Sequence, residues 1–179
     1  MIVVNLFGAP SAGKSTCAAM IFANLKMERV NVELVTEYAK EKTWEGNELA
    51  LANQAYIFGS QFYRLSRLRN KVDVVITDSP LPVSILYNRD PVLGEAFNTT
   101  VLNVFNSFQN INYFLTRANK YDPNGRWQTE EESDALAEKL KGLLFERNVS
   151  FKTLEGKREN YELISDEIIS ICKTLNMCH

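Results

Sequence analysis

A short segment near the start of the chain concentrates residue types that bind phosphate groups. Residues 8–16 have the sequence GAPSAGKST, which fits the pattern G-x-x-x-x-G-K-[ST]. Gly8 and Gly13 let the backbone curl, so that successive N–H groups point inward at a phosphate. Lys14 would supply a positive charge to the β- and γ-phosphates, and the Ser15 hydroxyl would ligate Mg²⁺. The segment therefore predicts a site for ATP and Mg²⁺, formed by Gly8, Ser11, Ala12, Gly13, Lys14, Ser15 and Thr16.

Two acidic residues stand directly after predicted strands, where a phosphoryl transfer would need them. Asp78 follows the apolar run VDVVIT, and Glu37 comes after the run that ends at Val35. Ligands bind at the carboxyl ends of parallel strands, so we expect Asp78 to hold Mg²⁺ and either acid to accept a proton from an acceptor hydroxyl. The alternatives are structural, with Asp78 in a turn and Glu37 at the first turn of a helix. Motor ATPases more often carry a second acid after the first, and here Ser79 follows, which favours a kinase.

Two arginines accompany a turn-rich segment after the fourth predicted strand. Arg117 comes directly after INYFLT, and Arg126 lies in DPNGRW before a charged helix. Cations on a segment that closes over phosphates neutralise transition-state charge and exclude water. We therefore predict a small lid over residues 117–130 in which both arginines are catalytic. The alternative is that both are ordinary solvated surface charges.

The stretch 47–70 is predicted to be a long helix that carries amide, aromatic and basic side chains. Gln54, Phe58 and Gln61 are spaced i, i+4 and i+7, so they share one face of that helix. An amide and an aromatic ring on one face suit the edge and the ring of a nucleobase, which predicts that these residues and Arg64 bind an acceptor. The alternatives are a stripe that faces the core, and a solvated face for the basic residues.

The elements that must position these residues alternate between strand and helix along the whole chain. Apolar runs predict strands over 2–7, 30–35, 72–77, 111–116 and 150–154. Helical periodicity predicts helices over 14–28, 47–70, 91–108, 129–147 and 159–175, the second with a break near Gly59. Strands separated by such helices indicate βαβ crossovers. We therefore expect one α/β domain over residues 1–179, a three-layer P-loop NTPase fold with a five-stranded parallel sheet and a small lid.

Composition and charge are those of an ordinary globular protein. The 179 residues are 45% hydrophobic and 23% charged, with 20 basic and 22 acidic residues and a net charge of -2. This balance excludes a globally basic nucleic-acid-binding protein, but not a local basic groove. No apolar run reaches the roughly 18 residues of a membrane span, and the first residues lack the basic region of a secretory signal. A cytoplasmic protein with no membrane partner is expected.

The cysteines and the single histidine argue against two further kinds of site. Cys17, Cys172 and Cys178 are scattered without CxxC spacing, so they are expected to be reduced thiols. The histidine is His179 at the end of the sequence, which argues against a catalytic triad or a metal site built on histidine.

The chain resembles the adenylate-kinase-like and nucleoside-kinase-like branch of P-loop kinases, above all small phage-encoded kinases related to nicotinamide riboside kinases. The resemblance runs through GAPSAGKST, ELVTEYAKEK, NQAYIFGSQFYR, DVVITDSPL and YFLTRANKYDPNGRWQTEEESD. It implies a parallel sheet with a lid, and transfer of the γ-phosphoryl group of Mg·ATP to an acceptor. Deoxynucleoside kinases carry a glutamate base after their second strand, which Glu37 matches. They also carry a base-reading glutamine on a long helix, which Gln54 or Gln61 matches.

The resemblance also implies the class of acceptor. One group of phage kinases of this appearance phosphorylates the hydroxymethyl group of 5-hydroxymethyluracil in DNA, which would make DNA the partner and the host cytoplasm the location. The alternative acceptors are a free nucleoside or a deoxynucleoside monophosphate of nucleotide salvage. A nucleotide-dependent ATPase switch without an acceptor is the remaining interpretation. A homodimer is compatible with each of them.

Overall fold

Strands and helices alternate along the chain, and the strands form one sheet. The computed structural model describes residues 1–118, 120–121 and 129–177. The strands in these residues are β1 (Ile2–Phe7), β2 (Val32–Val35), β3 (Val74–Thr77), β4 (Gln109–Thr116) and β5 (Lys152–Glu155). The helices are α1 (Lys14–Met27), α2 (Tyr38–Trp44), α3 (Glu48–Ala52), α4 (Gln54–Ser66), α5 (Val83–Tyr87), α6 (Gly94–Asn106), α7 (Glu130–Glu146) and α8 (Arg158–Thr174).

The sheet has the predicted parallel arrangement. Its five strands lie in the order β2-β3-β1-β4-β5, and each neighbouring pair is parallel. β1 is therefore central, and the carboxyl ends of all five strands meet at one edge of the sheet. Segments that leave these ends lie close together although they are distant in sequence.

Both faces of the sheet are covered, so the fold has three layers as predicted. Alternate side chains of a strand point to opposite faces. On one face, Ile2, Val4 and Leu6 of β1 belong to a core with α1 and α8. On the other, Val3 and Phe7 belong to a core with residues of α4, α6 and α7. Burial on both sides explains why these strands are continuously apolar in sequence.

The predicted helix over 47–70 is two helices, and its break lies at a different residue from the predicted one. The chain breaks at Asn53, between α3 and α4, whereas Gly59 lies inside α4. The Asn53 side chain accepts a hydrogen bond of 3.0 Å from the Tyr56 backbone N–H, so it caps α4. Asparagine is a preferred N-cap because its short side chain satisfies an N–H group that the helix leaves unpaired.

Two short helices were not predicted from the sequence. The seven residues of α2 include no buried side chain, so they show no apolar periodicity. The five residues of α5 follow Pro82, within a proline-containing segment that indicates turns. In the chain, α2 follows the end of β2, and α5 follows the end of β3. No helix in the described part of the chain is long and apolar enough to cross a membrane.

Candidate functional site

The predicted phosphate-binding segment is the turn between β1 and α1. Gly8 has a φ of 141° and Gly13 a φ of 85°, and both lie in the region that favours glycine. A Cβ atom on Gly8 would lie 2.5 Å from the backbone oxygen of Leu115, and one on Gly13 would lie 2.1 Å from the hydroxyl of Tyr161. The two glycines are thus required by backbone conformation and by neighbouring atoms from β4 and α8.

Lys14 is the first residue of α1, and its ammonium lies over the loop. The Nζ atom donates hydrogen bonds of 2.9 Å to the Gly8 carbonyl and 2.8 Å to the Ala9 carbonyl. The amino terminus of α1 points to the same place, where the helix dipole adds positive potential. The loop therefore offers both a charge and backbone donors to an anion such as the phosphates of ATP.

Two residues distant in sequence, Ser133 and Gly156, contact the backbone of the loop and support it. The Ser133 hydroxyl of α7 is fully buried and donates a hydrogen bond of 2.9 Å to the Pro10 carbonyl. A Cβ atom on Gly156, just after β5, would lie 2.1 Å from the Ala12 carbonyl oxygen. Sequence reasoning missed both residues because neither stands in a recognisable pattern.

The loop forms one end of a cleft of about 610 Å³. The predicted residues that line this cleft are Gly8, Ser11, Ala12, Gly13, Lys14, Ser15, Thr16, Glu37, Gln54 and Asp78. Val35 and Thr77 are register partners at the ends of β2 and β3, which brings the two acids that follow these strands into one cavity. The predicted convergence of the loop with Glu37 and Asp78 is therefore present.

Asp78 has the environment expected of a metal ligand. Its side chain is 5% exposed, and its Oδ1 atom is buried with no hydrogen-bond partner. An unsatisfied buried carboxylate oxygen is costly, and a cation would compensate it. The residues described contain no group of three or more His, Cys, Asp and Glu side chains that could hold a metal. Mg²⁺ needs no such group, because it is commonly held by one or two protein oxygens together with phosphate oxygens and water. The Asp78 carboxylate and the Ser15 hydroxyl are oxygen ligands of this kind.

Glu37 lies at the amino end of α2, half-buried against the cleft. It is the N-cap residue of that helix, but its side chain makes no capping hydrogen bond. Tyr87 of α5 lines the same cleft, and burial, followed by the negative charge of Glu37, raises the pKa of Tyr87 to about 12. The Tyr87 hydroxyl therefore keeps its proton at neutral pH and can donate it in a hydrogen bond to a ligand.

Further residues that sequence reasoning missed line the cleft outside the loop. Lys40 and Thr43 come from α2, Glu48 from α3, and Ser84 and Tyr87 from α5. Those of α2 and α5 went unnoticed because these two helices were not predicted, whereas Glu48 lies within the predicted stretch 47–70 and carried no motif of its own. Lys40 and Glu37 share the segment VTEYAKE, whose density of charges after a strand was the available signal.

Three of the four predicted acceptor-binding residues lie outside the lining of the cleft, and two of them, Phe58 and Gln61, are buried. Phe58 is 8% exposed and packs against Phe97, with ring centroids 5.7 Å apart. Gln61 is 3% exposed, its Oε1 accepts from the Tyr38 backbone N–H at 3.0 Å, and its Nε2 donates to the Thr36 carbonyl at 3.3 Å. They do share a face of α4 with Gln54, but this face packs on the sheet. Gln54, at the amino end, is the residue of the three that lines the cleft, and its Nε2 atom donates a hydrogen bond of 2.9 Å to the Leu51 carbonyl.

Arg64 faces away from the cleft. Its Nη2 atom donates a hydrogen bond of 2.6 Å to the Glu41 carboxylate, and its guanidinium lies 4.8 Å from the centre of the Tyr38 ring. It lines a separate groove between β2 and α4. The predicted contact of Arg64 with an acceptor in the cleft is therefore not present in this arrangement.

Arg117 connects β4 to the start of α7 rather than lining the cleft. Its guanidinium forms ion pairs with Glu130 at 3.3 Å and with Asp134. Its Nη1 atom is buried and has no hydrogen-bond partner. Arg126 and most of the predicted lid, residues 119 and 122–128, lie outside the described residues.

Comparisons with known proteins agree with this architecture. A family model described as an AAA domain matches residues 3–161. The structure of a NadR protein in complex with NR matches with a TM-score of 0.71 at 20% sequence identity, and the match covers 93% of this chain and 50% of that chain. The chain thus spans half the length of that NadR protein.

A shikimate kinase from Aquifex aeolicus vf5 is a second similar structure. It matches with a TM-score of 0.51 at 17% identity, covering 97% of this chain and 98% of that chain. At these identities the likeness establishes a shared fold. A comparison with curated proteins finds no match.

Proposed function

The chain belongs to the AAA domain family, whose model matches residues 3–161, and we propose that it is an ATP-dependent phosphotransferase. It would move the γ-phosphate of Mg·ATP to a hydroxyl of a nucleobase- or nucleoside-type acceptor. The observation that carries the proposal is that Lys14, Asp78 and Glu37 line one cleft that continues beyond the loop to Gln54 and Tyr87. Hydrolysis of ATP would not require such a second end.

The cleft residues have distinct roles in the proposed transfer. The backbone N–H groups of the loop and Lys14 would hold the phosphates, while Ser15 and Asp78 would hold Mg²⁺, which neutralises charge on the β- and γ-phosphates. Glu37 would accept the acceptor's hydroxyl proton as the oxygen bonds to the γ-phosphorus. The bond to the bridging oxygen of the β-phosphate then breaks, and ADP leaves. Positioning and charge neutralisation account for most of the catalysis.

The names of the similar structures support a kinase. One is a shikimate kinase, and the other is a NadR protein bound to NR. Both share the fold of this chain over most of its length. We infer from this likeness, and from the additional end of the cleft, that an acceptor other than water is used.

Among acceptors we propose the hydroxymethyl group of 5-hydroxymethyluracil in DNA, modified by a cytoplasmic enzyme in a phage-infected host. The base would have to leave the stack and enter the cleft at a cost of a few kcal/mol. Gln54 is the predicted base-reading residue that lines the cleft, which supports a nucleobase there.

A free nucleoside is the second candidate, and the charges of the cleft favour it over a nucleoside monophosphate. The charged residues that line the cleft outside the loop and Asp78 are Glu37, Glu48 and Lys40. No arginine is among the described residues that line it. Arginine is over-represented at phosphate sites because its planar fork binds phosphate through two hydrogen bonds. A neutral acceptor hydroxyl fits this lining better than a phosphorylated one.

Transfer of labelled γ-phosphate to a panel of acceptors tests the proposal. The panel contains free nucleosides, nicotinamide riboside, deoxynucleoside monophosphates, plain DNA and DNA that contains 5-hydroxymethyluracil. Label on the modified DNA alone is the expected result, and label on free nucleosides would establish the second candidate. Label released as free phosphate with every acceptor would instead establish the ATPase switch. The Lys14→Ala variant is the background control.

A further inference from the structure

A second concavity of about 720 Å³ lies between the edge strand β2 and the outer side of α4. We call it the tyrosine–arginine groove, after the lining residues Tyr38, Tyr56, Tyr63, Arg64 and Arg67. No aspartate or glutamate is among the described residues that line it. None of these five residues lines the cleft, so the groove is a separate surface.

Two of the three tyrosines that line the groove are exposed, and the third, Tyr38, is half-buried. Tyr56 is 45% exposed and Tyr63 is 67% exposed, and both stand on the outer side of α4. The Tyr38 and Tyr56 rings meet edge to face with centroids 5.6 Å apart, and their hydroxyls are hydrogen-bonded. Exposed rings that are held in place offer flat surfaces on which another ring can stack.

The charge of the groove is positive. The Arg64 guanidinium lies 4.8 Å from the Tyr38 ring centre, and one of its nitrogens is paired with Glu41. Arg67 is exposed one turn further along, and no carboxylate of the described chain forms an ion pair with it. The groove therefore keeps a net positive charge although the protein as a whole carries -2. Such a local charge suits a polyanion.

Gly59 leaves the floor of the groove open. It lies inside α4, where glycine costs about 0.5–1 kcal/mol relative to alanine. A Cβ atom there would meet nothing within 4 Å, so close packing does not require the glycine. It stands three residues after Tyr56 and four before Tyr63, on the same face of the helix. A flat group could thus approach the helix backbone between the two rings.

We infer that the tyrosine–arginine groove binds single-stranded nucleic acid, with bases stacked on the tyrosines and phosphates held by the arginines. Groove and cleft share a wall, because Thr36 and Tyr38 line the groove while Glu37, between them, lines the cleft. Gln54 in the cleft and Ala55 in the groove are likewise neighbours. A nucleic-acid strand bound in the groove would present one of its bases to the cleft. This consequence rests on the proposed function.

Binding of a fluorescently labelled single-stranded deoxyoligonucleotide, measured by anisotropy without ATP, tests the inference. We expect Tyr63→Ala to weaken binding about tenfold or more, as the loss of one stacking surface does. Tyr63→Phe should retain most of the affinity because it keeps the ring. Arg67→Ala should make the dependence of log K on log salt shallower by about 0.7, the loss of one phosphate contact on a single strand.

Two exposed residues of α7 provide matched controls. Phe145 is 83% exposed, and Lys139 is an exposed cation. Phe145→Ala and Lys139→Ala remove a ring and a charge outside the groove, and they should leave affinity and salt dependence unchanged. If the oligonucleotide does not bind, or if groove and control variants bind alike, the groove does not bind nucleic acid. Circular dichroism of each variant verifies that it is folded.

Failure of the groove and failure of the proposed function give different results. Lys14→Ala should lose phosphate transfer and still bind the oligonucleotide. Binding that Tyr63→Ala weakens, in a protein that transfers phosphate to no acceptor, would support the groove and contradict the phosphotransferase. Transfer to free nucleosides by a protein that binds no oligonucleotide would support the phosphotransferase and contradict the groove.

Discussion

The two ends of the cleft are built in different ways. At the phosphate end, consecutive residues of one loop provide the contacts, and buried Ser133 and the close approach of Gly156 brace the loop from behind. At the acceptor end, single side chains come from α2, α3, α4 and α5. Neither α2 nor α3 has a buried residue. In the proposed function, phosphate binding would thus depend mostly on backbone in one continuous segment, whereas acceptor binding would depend on how several helices pack.

This difference has a consequence for local stability. Segments with few buried apolar contacts open at a lower free energy than the core of a domain. We expect the acceptor end to change its conformation on ligand binding more than the loop does. Substitutions at the two ends should then differ in kind, with loss of turnover at the loop and changes in acceptor affinity at the helices.

Removal of the lysine at the phosphate end should have the largest effect. Lys14→Ala is expected to reduce turnover by about 1000-fold, because a preorganised charge at the transferring phosphate is lost. Rapid-quench measurement of labelled product would show the loss. Lys26→Ala, on the same helix but 45% exposed and 3.8 Å from Glu33, is the control and should behave as the wild type. Equal turnover in Lys14→Ala and the wild type would contradict the assignment of the loop.

Substitution of Asp78, the acid beside the loop, should have the second-largest effect on turnover. Asp78→Asn is expected to lower turnover by about 100- to 1000-fold while ATP still binds, because a metal ligand is lost and the loop is intact. Calorimetric titration of ATP with and without Mg²⁺ separates metal binding from nucleotide binding, since the variant should lose the contribution of Mg²⁺ to ATP affinity and keep the rest. Asp166→Asn, on the exposed face of α8, is the matched control. Unchanged dependence on Mg²⁺ in the Asp78 variant would remove this residue from the metal site.

The proposed base connects the two ends. Glu37→Gln should reduce kcat by about 100-fold, the usual contribution of a general base, with the KM for ATP nearly unchanged. Steady-state kinetics with the acceptor from the panel would measure both constants. Glu33→Gln, on the neighbouring strand β2, keeps the same change of charge outside the cleft and serves as control. A large rise in the KM for ATP in Glu37→Gln would instead assign the residue to nucleotide binding.

Two glutamines of α4 should give the smallest and sharpest contrast. Gln54→Ala is expected to raise the KM for the acceptor about tenfold, the effect of losing one hydrogen bond to the acceptor. It should cost less stability than Gln61→Ala, because Gln54 makes one hydrogen bond to the backbone, to the Leu51 carbonyl at 2.9 Å, and Gln61 makes two. Gln61→Ala should lower the free energy of unfolding by about 1–3 kcal/mol, because the Tyr38 N–H loses its acceptor. Urea unfolding and acceptor kinetics of both variants test this. If the two variants exchanged these effects, the division between cleft and core along α4 would be wrong.

The parts that could be predicted were those with local causes. The loop motif, the order of strands and helices and the acids after β2 and β3 all follow from short stretches of sequence. The exact division of 47–70 did not, because Asn53 and Gly59 both interrupt a helical pattern and only the cap geometry distinguishes them. The helix α2 was missed because its lack of buried residues leaves no periodic signal.

The residues predicted to bind an acceptor show the same limit. Helical spacing correctly placed Gln54, Phe58 and Gln61 on one face, but spacing cannot say what a face touches. The position of α4 on the sheet decided that Phe58 packs in the core and that the Gln61 amide binds the backbone of Thr36 and Tyr38, just after β2. In the same way, packing of α7 against β4 decided that Arg117 pairs with Glu130 and Asp134.

The sequence by itself determined the parallel sheet and the phosphate loop, because buried strands and glycine-dependent turns need particular residues at fixed spacing. Only the tertiary structure decided which side chains share the cleft, which amide is consumed by the backbone and where the tyrosine–arginine groove lies. Those outcomes depend on contacts between residues far apart in the chain, and such contacts are set by how whole helices pack on the sheet.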